Sequence, residues 1–324
     1  MKKFKIISVV CVLALVTAFI IPMVITDAPR TVRVTTTEIH TSASTSEPET
    51  IVMTTTHVPS TTTAIPTTRE VEVSTTIEPT TSEEVEETVK YNHRPEALQY
   101  AYDTDTVRSA MHGKSELVPN QKTCFLTFDD GIDGNSTGLL LDVLKNLDVP
   151  ASFFLVGNSI HEGTQELLQR IYDEGHAIGG HTYNHNYKAL YPNREVNPQE
   201  ILRQHQQAAE RINTLLRDPI RFNVFRYPGG HMSWKRMGPS DKLLREHGIS
   251  WIDWNVENGD GMHLHGLDTQ GQLAEIERTW KAMGHYNTVV LLMHDGVNKT
   301  RTREALPSIV DYFRKQDFQF GILN

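Results

Sequence analysis

The sequence predicts an α/β domain with a parallel β-sheet over residues 118–324 of a 324-residue chain. Three observations support this class. Apolar strand-like runs alternate with helix-like runs, which is the order that produces a parallel sheet. Several apolar runs end in acidic, basic or histidine residues, where a βα barrel places its functional side chains. About 200 residues also suit one such domain. Alternation by itself permits either a barrel or an open doubly wound sheet.

The predicted elements follow from apolar patterning. The longest helix has the clearest start, because Asn197 is a good N-cap, Pro198 suits the first turn, and Glu200 follows three residues after the cap. Strands are expected near residues 123–128, 151–157, 176–181, 222–227, 249–256, 288–294 and 318–323. Helices are expected at Gly138–Leu147, Gly163–Glu174, Pro198–Leu216, Asp241–His247, Thr269–Met283 and Arg303–Lys315.

Two adjacent carboxylates end the first of these strands. Asp129 and Asp130 follow the apolar run Cys124-Phe125-Leu126. Successive strand residues point to opposite faces, so such a pair is an unusual choice for surface charge beside a buried segment. Two like charges this close also oppose each other's ionisation unless a cation or a basic group lies nearby. A metal ion beside one acid, with the other free to act as a base, resolves this conflict.

A pair of histidines offers further metal ligands. His181 and His185 are four residues apart, and they lie on one face if the segment turns helically. With Asp130 they form a set of three ligands that leaves a position open for water, as catalytic zinc sites do. The alternative is two loop histidines after a strand, and the upstream acid pair argues against it.

Three more segments end in polar residues that chemistry could use. Arg226 leaves an apolar run before Pro228-Gly229-Gly230, where glycines allow close approach of the backbone to a ligand. Asp260 and His294 each end a further apolar run. Taken singly, these residues also fit a surface ion pair, a turn residue and a strand-end cap.

Taken together, the five segments resemble the five motifs of the carbohydrate esterase family 4 polysaccharide deacetylases, also called the NodB-homology domain. The resemblance covers about residues 118–324 and implies a distorted (β/α)7–8 barrel. It implies that Asp129 is the general base, and that Asp130, His181 and His185 hold a divalent metal ion. The ligand set suits zinc and would accept cobalt or iron.

The resemblance also implies roles for the remaining residues. Arg226 would orient Asp129 and keep it ionised, and Asp260 would either hold Arg226 or tune the acid. His294 would be the general acid, with its charged form favoured by Asp260. Three residues would contact the substrate: Gly229 through an amide directed at the oxyanion, Leu292 in the acetyl pocket, and Tyr227 beside them.

One position departs from the family pattern. The fourth motif usually reads Asp-x-x-Asp-Trp, whereas Gly261 stands here in place of the tryptophan. The carboxylate is kept and the aromatic wall of the sugar groove is lost. Trp251, Trp254 and Trp234 are the candidates to replace it.

Three functions follow from these residues. The first is N-deacetylation of N-acetylglucosamine units in a cell-surface polymer such as peptidoglycan, which releases acetate. The second is removal of acetyl esters from xylan-like glycans. The third is glycan binding without catalysis, which the complete set of base, ligands and acid argues against. In the first reaction the amine must receive a proton to leave, whereas an alkoxide leaves more easily.

The amino-terminal third predicts export. Residues 1–26 hold Lys2, Lys3 and Lys5 before an uncharged apolar run long enough for a bilayer. We interpret this run as an uncleaved signal anchor with the catalytic domain outside the cell. The alternative is a signal peptide that is cleaved to give a secreted protein.

Residues 27–90 are rich in Thr, Ser, Pro and Glu, with few large apolar residues to form a core. This composition predicts a disordered stalk, either O-glycosylated or a plain linker.

Residues 91–117 are a transition segment without an assignment. A net charge of −9 gives no electrostatic case for nucleic acid. From the family resemblance we expect an acetylated surface polysaccharide as substrate, and from the predicted anchor we expect contact with the membrane. The protein is expected to be a monomer.

Overall fold

A computed structural model describes residues 90–262 and 266–324. Ten strands lie in these residues: β1 Ala101–Tyr102, β2 Lys122–Asp129, β3 Ser152–Leu155, β4 Ala177–Gly180, β5 Val224–Phe225, β6 Ser250–Trp251, β7 Val256–Glu257, β8 Thr288–His294, β9 Phe318–Phe320 and β10 Ile322–Leu323. Eight α-helices accompany them there: α1 Thr104–Ala110, α2 Thr137–Leu147, α3 Gln165–Asp173, α4 Tyr187–Leu190, α5 Pro198–Leu215, α6 Gly238–Glu246, α7 Thr269–Ala282 and α8 Thr300–Arg314.

The main sheet is parallel throughout and runs in the order β6-β5-β4-β3-β2-β8-β7, with β9 paired to the start of β2. Its two end strands, β6 and β7, are separated in the chain only by residues 252–255. A link this short brings the ends of the sheet close together, so the sheet curls into a partly closed barrel. The prediction of a parallel α/β fold is confirmed in this form.

The two faces of β2 show how the sheet is packed. Cys124, Leu126 and Phe128 join the large apolar cluster that includes residues of α2, α3, α5, α7 and α8. Phe125 points the other way and packs in the barrel interior with Phe154 of β3, among others. Because side chains alternate along a strand, Thr127 and Asp129 share the interior face with Phe125.

Residues 91–117, which the sequence leaves unassigned, complete the domain in the structure. Val107 of α1 and Met111, the C-cap residue of that helix, are fully buried in the same interior cluster as Phe125. Strand β1 pairs in parallel with β10. The segment therefore covers the amino-terminal end of the barrel, opposite the end where the strands deliver the acidic and histidine side chains.

Two predicted strands are each split into two short ones. The stretch predicted at 249–256 gives β6 and the start of β7, and between them the carbonyls of Ile252 and Asp253 accept hydrogen bonds from Arg226. Residues 318–323 form β9 and β10, which are interrupted at Gly321. There a Cβ atom would lie 2.9 Å from Phe125 and from Tyr102.

Helix α5 begins as predicted, since the side chain of Asn197 accepts a hydrogen bond from the amide of Glu200 and Pro198 stands in the first turn. Within the described residues, no helix is long and apolar enough to cross a bilayer. The predicted anchor at 1–26 and residues 27–89 of the predicted stalk lie outside the described part of the chain.

Candidate active site

Asp130, His181 and His185 come together at the carboxyl-terminal end of the sheet. Oδ1 of Asp130 lies 3.8 Å from Nε2 of His181 and 3.8 Å from Nε2 of His185. The three possible ligand atoms all lie within 4.8 Å of one another. Asp130 directly follows β2, and the two histidines lie in the loop after β4.

The histidine loop converges without forming a helix. Residues 181–186 are irregular, and Thr182 and His185 adopt φ values of 68° and 53°. Such left-handed backbone is costly for non-glycine residues and is found mainly where the surroundings enforce it. Here Gln204 of α5 accepts hydrogen bonds from the amides of Tyr183 and Asn184, each at 3.1 Å. The helical turn considered from the spacing is therefore wrong, although the two imidazoles do meet.

The cluster fits a divalent cation by the chemistry of its donors. Nδ1 of His181 lies 2.9 Å from the carbonyl oxygen of Arg226 and so carries the proton, which leaves Nε2 free to face Asp130. Burial and the neighbouring His181 lower the pKa of His185 to about 4, so its imidazole is neutral at pH 7. Ligands of a tetrahedral zinc ion lie about 3.4 Å apart, and Asp130 lies 3.8 Å from each of the two histidines.

Arg226 fixes the second carboxylate of the pair. Its Nη1 lies 2.8 Å from Oδ1 of Asp129 and 2.7 Å from Oγ1 of Thr127. Nε and Nη2 donate to the carbonyls of Ile252 and Asp253. Both members of the ion pair are buried. Asp129 thus has one oxygen held by Arg226, while its other oxygen lies 3.7 Å from Nε2 of His181.

His294 ends β8 as the register neighbour of Asp129. Its Nδ1 lies 2.7 Å from Oδ1 of Asp260, and its amide donates to Oδ2 of the same carboxylate at 3.0 Å. Thr302 donates to that Oδ2 at 2.8 Å. Asp260 therefore holds His294 and does not hold Arg226, which settles the two roles that the sequence left open for it.

The charge state of this pair follows from its contacts. Burial alone would lower the pKa of His294, but the hydrogen bond to Asp260 and the charges of Asp260, Asp129 and Asp130 outweigh burial and raise it. Burial would likewise raise the pKa of Asp260, yet its bonds to His294 and Thr302 bring it below the usual value. The predicted direction for His294 is confirmed.

Of the three residues predicted to contact substrate, one is misassigned. Leu292 lies in β8 and is nearly buried, and Gly229 lies in the turn after β5 with φ 73°. Tyr227 is fully buried, and its hydroxyl bonds to Ser240 and Asp241 at 2.9 and 3.0 Å. It belongs to an apolar cluster with Phe225, so the prediction that Tyr227 binds substrate is wrong. The neighbouring Arg226 takes the site-facing direction instead.

Sterics explain why glycine stands at position 261, where the family motif has tryptophan. A Cβ atom on Gly261 would lie 2.8 Å from Cε1 of His294, so this backbone path has no room for a side chain. Among the candidate replacements, Trp251 stacks on His231 at 4.0 Å and Trp254 closely approaches Gly230. Trp234 packs instead against Tyr187 and Tyr191, beside the histidine loop.

Two supporting residues escaped the sequence analysis. Thr127 is two residues before Asp129, on the same strand face, and this spacing could have identified it. Thr302 reaches Asp260 from the first turn of α8, 42 positions later in the chain, and no local pattern marks it.

Comparison with known proteins identifies the class to which this protein belongs. Residues 117–250 match the polysaccharide deacetylase family profile. A CE4 esterase of known structure from Streptococcus mutans is 40% identical, with a TM-score of 0.68 over 72% of this chain and 96% of that one. These matches define the protein as a hydrolase of the polysaccharide deacetylase class.

Two further relatives are more distant. A peptidoglycan-N-acetylglucosamine deacetylase of Bacillus cereus is 28% identical over 215 residues, which cover 66% of this chain and 72% of that protein. A polysaccharide deacetylase of known structure, also from Bacillus cereus, is 26% identical with a TM-score of 0.53 and covers 63% of this chain and 93% of that one. The chain belongs to carbohydrate esterase family 4, the polysaccharide deacetylases.

Proposed function

We propose that this protein is a metal-dependent N-deacetylase that acts on N-acetylglucosamine units of peptidoglycan or a related cell-wall polysaccharide. One observation carries the proposal: the Asp130–His181–His185 cluster lies beside a carboxylate held by an arginine and a histidine held by a second carboxylate. The proposed substrate is supported by the Bacillus cereus relative that is named a peptidoglycan-N-acetylglucosamine deacetylase.

Asp130, His181 and His185 would hold the cation, which we propose to be zinc. A divalent ion in this position supplies Lewis acidity, which polarises the acetamide carbonyl and acidifies water. Cobalt and iron also accept one carboxylate and two imidazoles as ligands.

The protein's own groups would then move the protons. Asp129, oriented by Arg226, accepts the proton of the attacking water. The oxyanion that forms on the former carbonyl is met by the amide of Gly229, a donor of the kind whose loss costs about 3–4 kcal/mol. His294, protonated on Nε2 and held through Nδ1 by Asp260, gives a proton to the departing nitrogen. Acetate and a free amino sugar result.

Cleavage of acetyl esters on xylan-type glycans is the second candidate. The Streptococcus mutans relative is named an esterase, and the same base and oxyanion donor would serve either reaction. The two differ in how much they require His294, because an alkoxide leaves with less help than an amine.

We also propose that residues 1–26 anchor the protein in the cell membrane as a single pass, with the catalytic domain outside and carried on the stalk at 27–90. The lysines before the apolar run and its length support this arrangement. Cleavage of the segment, which would give a secreted monomer, is the alternative.

The test is incubation of the purified protein with peptidoglycan, chitin oligomers and acetylxylan, with acetate and new primary amines both measured. We expect acetate and amines in equal amounts from the first two substrates. We also expect activity to disappear after exhaustive chelation and to return with zinc. Acetate without amines, from acetylxylan alone, would favour the esterase. Activity that survives complete chelation would refute metal dependence.

A further inference from the structure

We propose that Tyr187 is a stacking platform for a second pyranose unit of the glycan, adjacent to the unit that is deacetylated. The inference rests on the proposed function for the identity of the polymer. Tyr187 is the first residue of α4, two positions after the metal-ligand candidate His185.

The exposure of Tyr187 sets it apart. The residue is 44% exposed, and every other Phe, Tyr and Trp in residues 90–262 and 266–324 is buried or half-buried. Aromatic rings bury large apolar areas when they are covered, so an open ring beside a reactive site is a surface available to a ligand.

The ring is held in place from beneath. Its centroid lies 5.3 Å from that of Trp234 and 6.2 Å from that of Tyr191. Those two rings stack on each other at 4.0 Å and an interplanar angle of 6°, and Nε1 of Trp234 donates to the carbonyl of Pro228 at 2.8 Å. A supported ring loses little conformational entropy when a ligand covers it.

The Tyr187 ring lies next to groups that are proposed to take part in the reaction. Its centroid lies 4.9 Å from the His185 imidazole. A Cβ atom on Gly229 would lie 3.3 Å from both Tyr187 and Trp234, so the proposed oxyanion turn runs directly against this aromatic group. A sugar whose acetamide reaches the Asp130–His181–His185 cluster thus has its neighbouring unit at the edge of the platform.

The surroundings fit a carbohydrate. A groove of about 340 Å³ is lined by Tyr187, Tyr191 and Trp234 together with the polar side chains of Lys188 and Asn193. Pyranose rings present an apolar C–H face and a rim of hydroxyls, which match an aromatic floor with a few polar groups. Trp251 and Trp254 are less available, because His231 stacks on the first and Gly230 crowds the second.

The test has two arms, each comparing wild type with Tyr187→Ala and Tyr187→Phe. In the first, acetate release is measured on N-acetylglucosamine oligomers of one to four units. For wild type we expect kcat/KM to rise as the oligomer lengthens from one unit to several. For Tyr187→Ala we expect kcat/KM on the longer oligomers to be about tenfold lower than for wild type, mainly because KM is higher. Tyr187→Phe keeps the ring and should keep the gain. Leu98→Ala, an exposed apolar change at the opposite end of the barrel, is the matched control.

In the second arm, binding of the four-unit oligomer to the chelated full-length protein is followed by tryptophan fluorescence. Since no metal is present, any influence of Tyr187 on His185 as a ligand does not enter. We expect about tenfold weaker binding for Tyr187→Ala and none of this loss for Tyr187→Phe.

The outcomes separate the two proposals. The platform is overturned if wild type and Tyr187→Ala bind the oligomer equally well. It is also overturned if Tyr187→Ala and Tyr187→Phe lose the same amount of affinity. Both results hold whether or not acetate is released. A tenfold binding difference with no acetate released from any oligomer upholds the platform and counts against the proposed deacetylation.

Discussion

At the scale of single residues, the site depends on how each charged group is held. Asp129 would be the proton acceptor because Arg226 binds one of its oxygens and leaves the other directed towards the cluster. A carboxamide at position 129 keeps the shape of the side chain but cannot accept the proton.

Asp129→Asn should therefore lower kcat for acetate release by on the order of 10²–10⁴, with zinc still bound. Turnover and zinc affinity by calorimetry would be measured on the same preparation. Asp142→Asn, an exposed carboxylate on α2, is the control and should retain wild-type rates. A variant that binds zinc and still turns over at the wild-type rate would remove Asp129 from the mechanism.

His294 should set the basic limb of the pH–rate profile. An acid donates only while protonated, so activity is full below its pKa and falls as pH rises through it. Since Asp260 raises the pKa of His294, Asp260→Asn should move this limb to lower pH, apart from any loss in the maximum rate. The profile of kcat between pH 5 and pH 10 tests this sign, and a limb that stays in place would show that another group titrates.

His294→Ala should distinguish the two candidate reactions. Loss of a general acid costs on the order of 10²–10⁴ when the leaving group needs a proton. We expect that loss on acetamides and a much smaller one on acetyl esters, with both substrate types measured under the same conditions. Equal losses on amide and ester would mean that His294 does not protonate the leaving group.

At the scale of elements, helix α1 is a structural part of the barrel. Met111, the C-cap residue of α1, is fully buried in the interior cluster with Phe125 and Val290. Met111→Ala should lower the free energy of unfolding by about 2–5 kcal/mol, measured by urea denaturation. Met262→Ala, at a side chain that is 74% exposed, should change it by less than about 0.5 kcal/mol. A Met111→Ala cost as small as the control would mean that α1 is only loosely attached.

Most elements were predictable because their signals are local. The start of α5 follows from Asn197 and Pro198, and the long strands β2 and β8 follow from continuous apolar runs. The breaks at residues 252–255 and at Gly321 were not predictable, because they involve contacts with Arg226, which follows β5, and with Phe125 of β2.

The same distinction holds for the site. The grouping of Asp130 with His181 and His185 was predictable from motif order. The burial of Tyr227 and the loop geometry of His185 were not, because Ser240, Asp241 and Gln204 decide them from distant positions.

At the scale of the whole molecule, the proposed anchor and the catalytic domain are separate parts. All site residues lie between positions 127 and 302, far along the chain from residues 1–26. Deleting residues 2–26 should therefore shift the protein from the membrane pellet to the soluble fraction, with specific activity within about twofold of wild type. Immunoblots of both fractions and acetate assays test this. Pelleting of the shortened chain would place membrane attachment elsewhere.

Residue 226 takes part in both halves of the proposed chemistry. Its carbonyl sets the tautomer of one imidazole, while its guanidinium holds the neighbouring proton acceptor. The distance between His181, one of the proposed ion ligands, and the base is thus set by the single residue that directly follows β5. Helix α4, which carries Tyr187, supplies none of the atoms of this pair. New glycan preferences could therefore evolve here without realigning the atoms that break the bond.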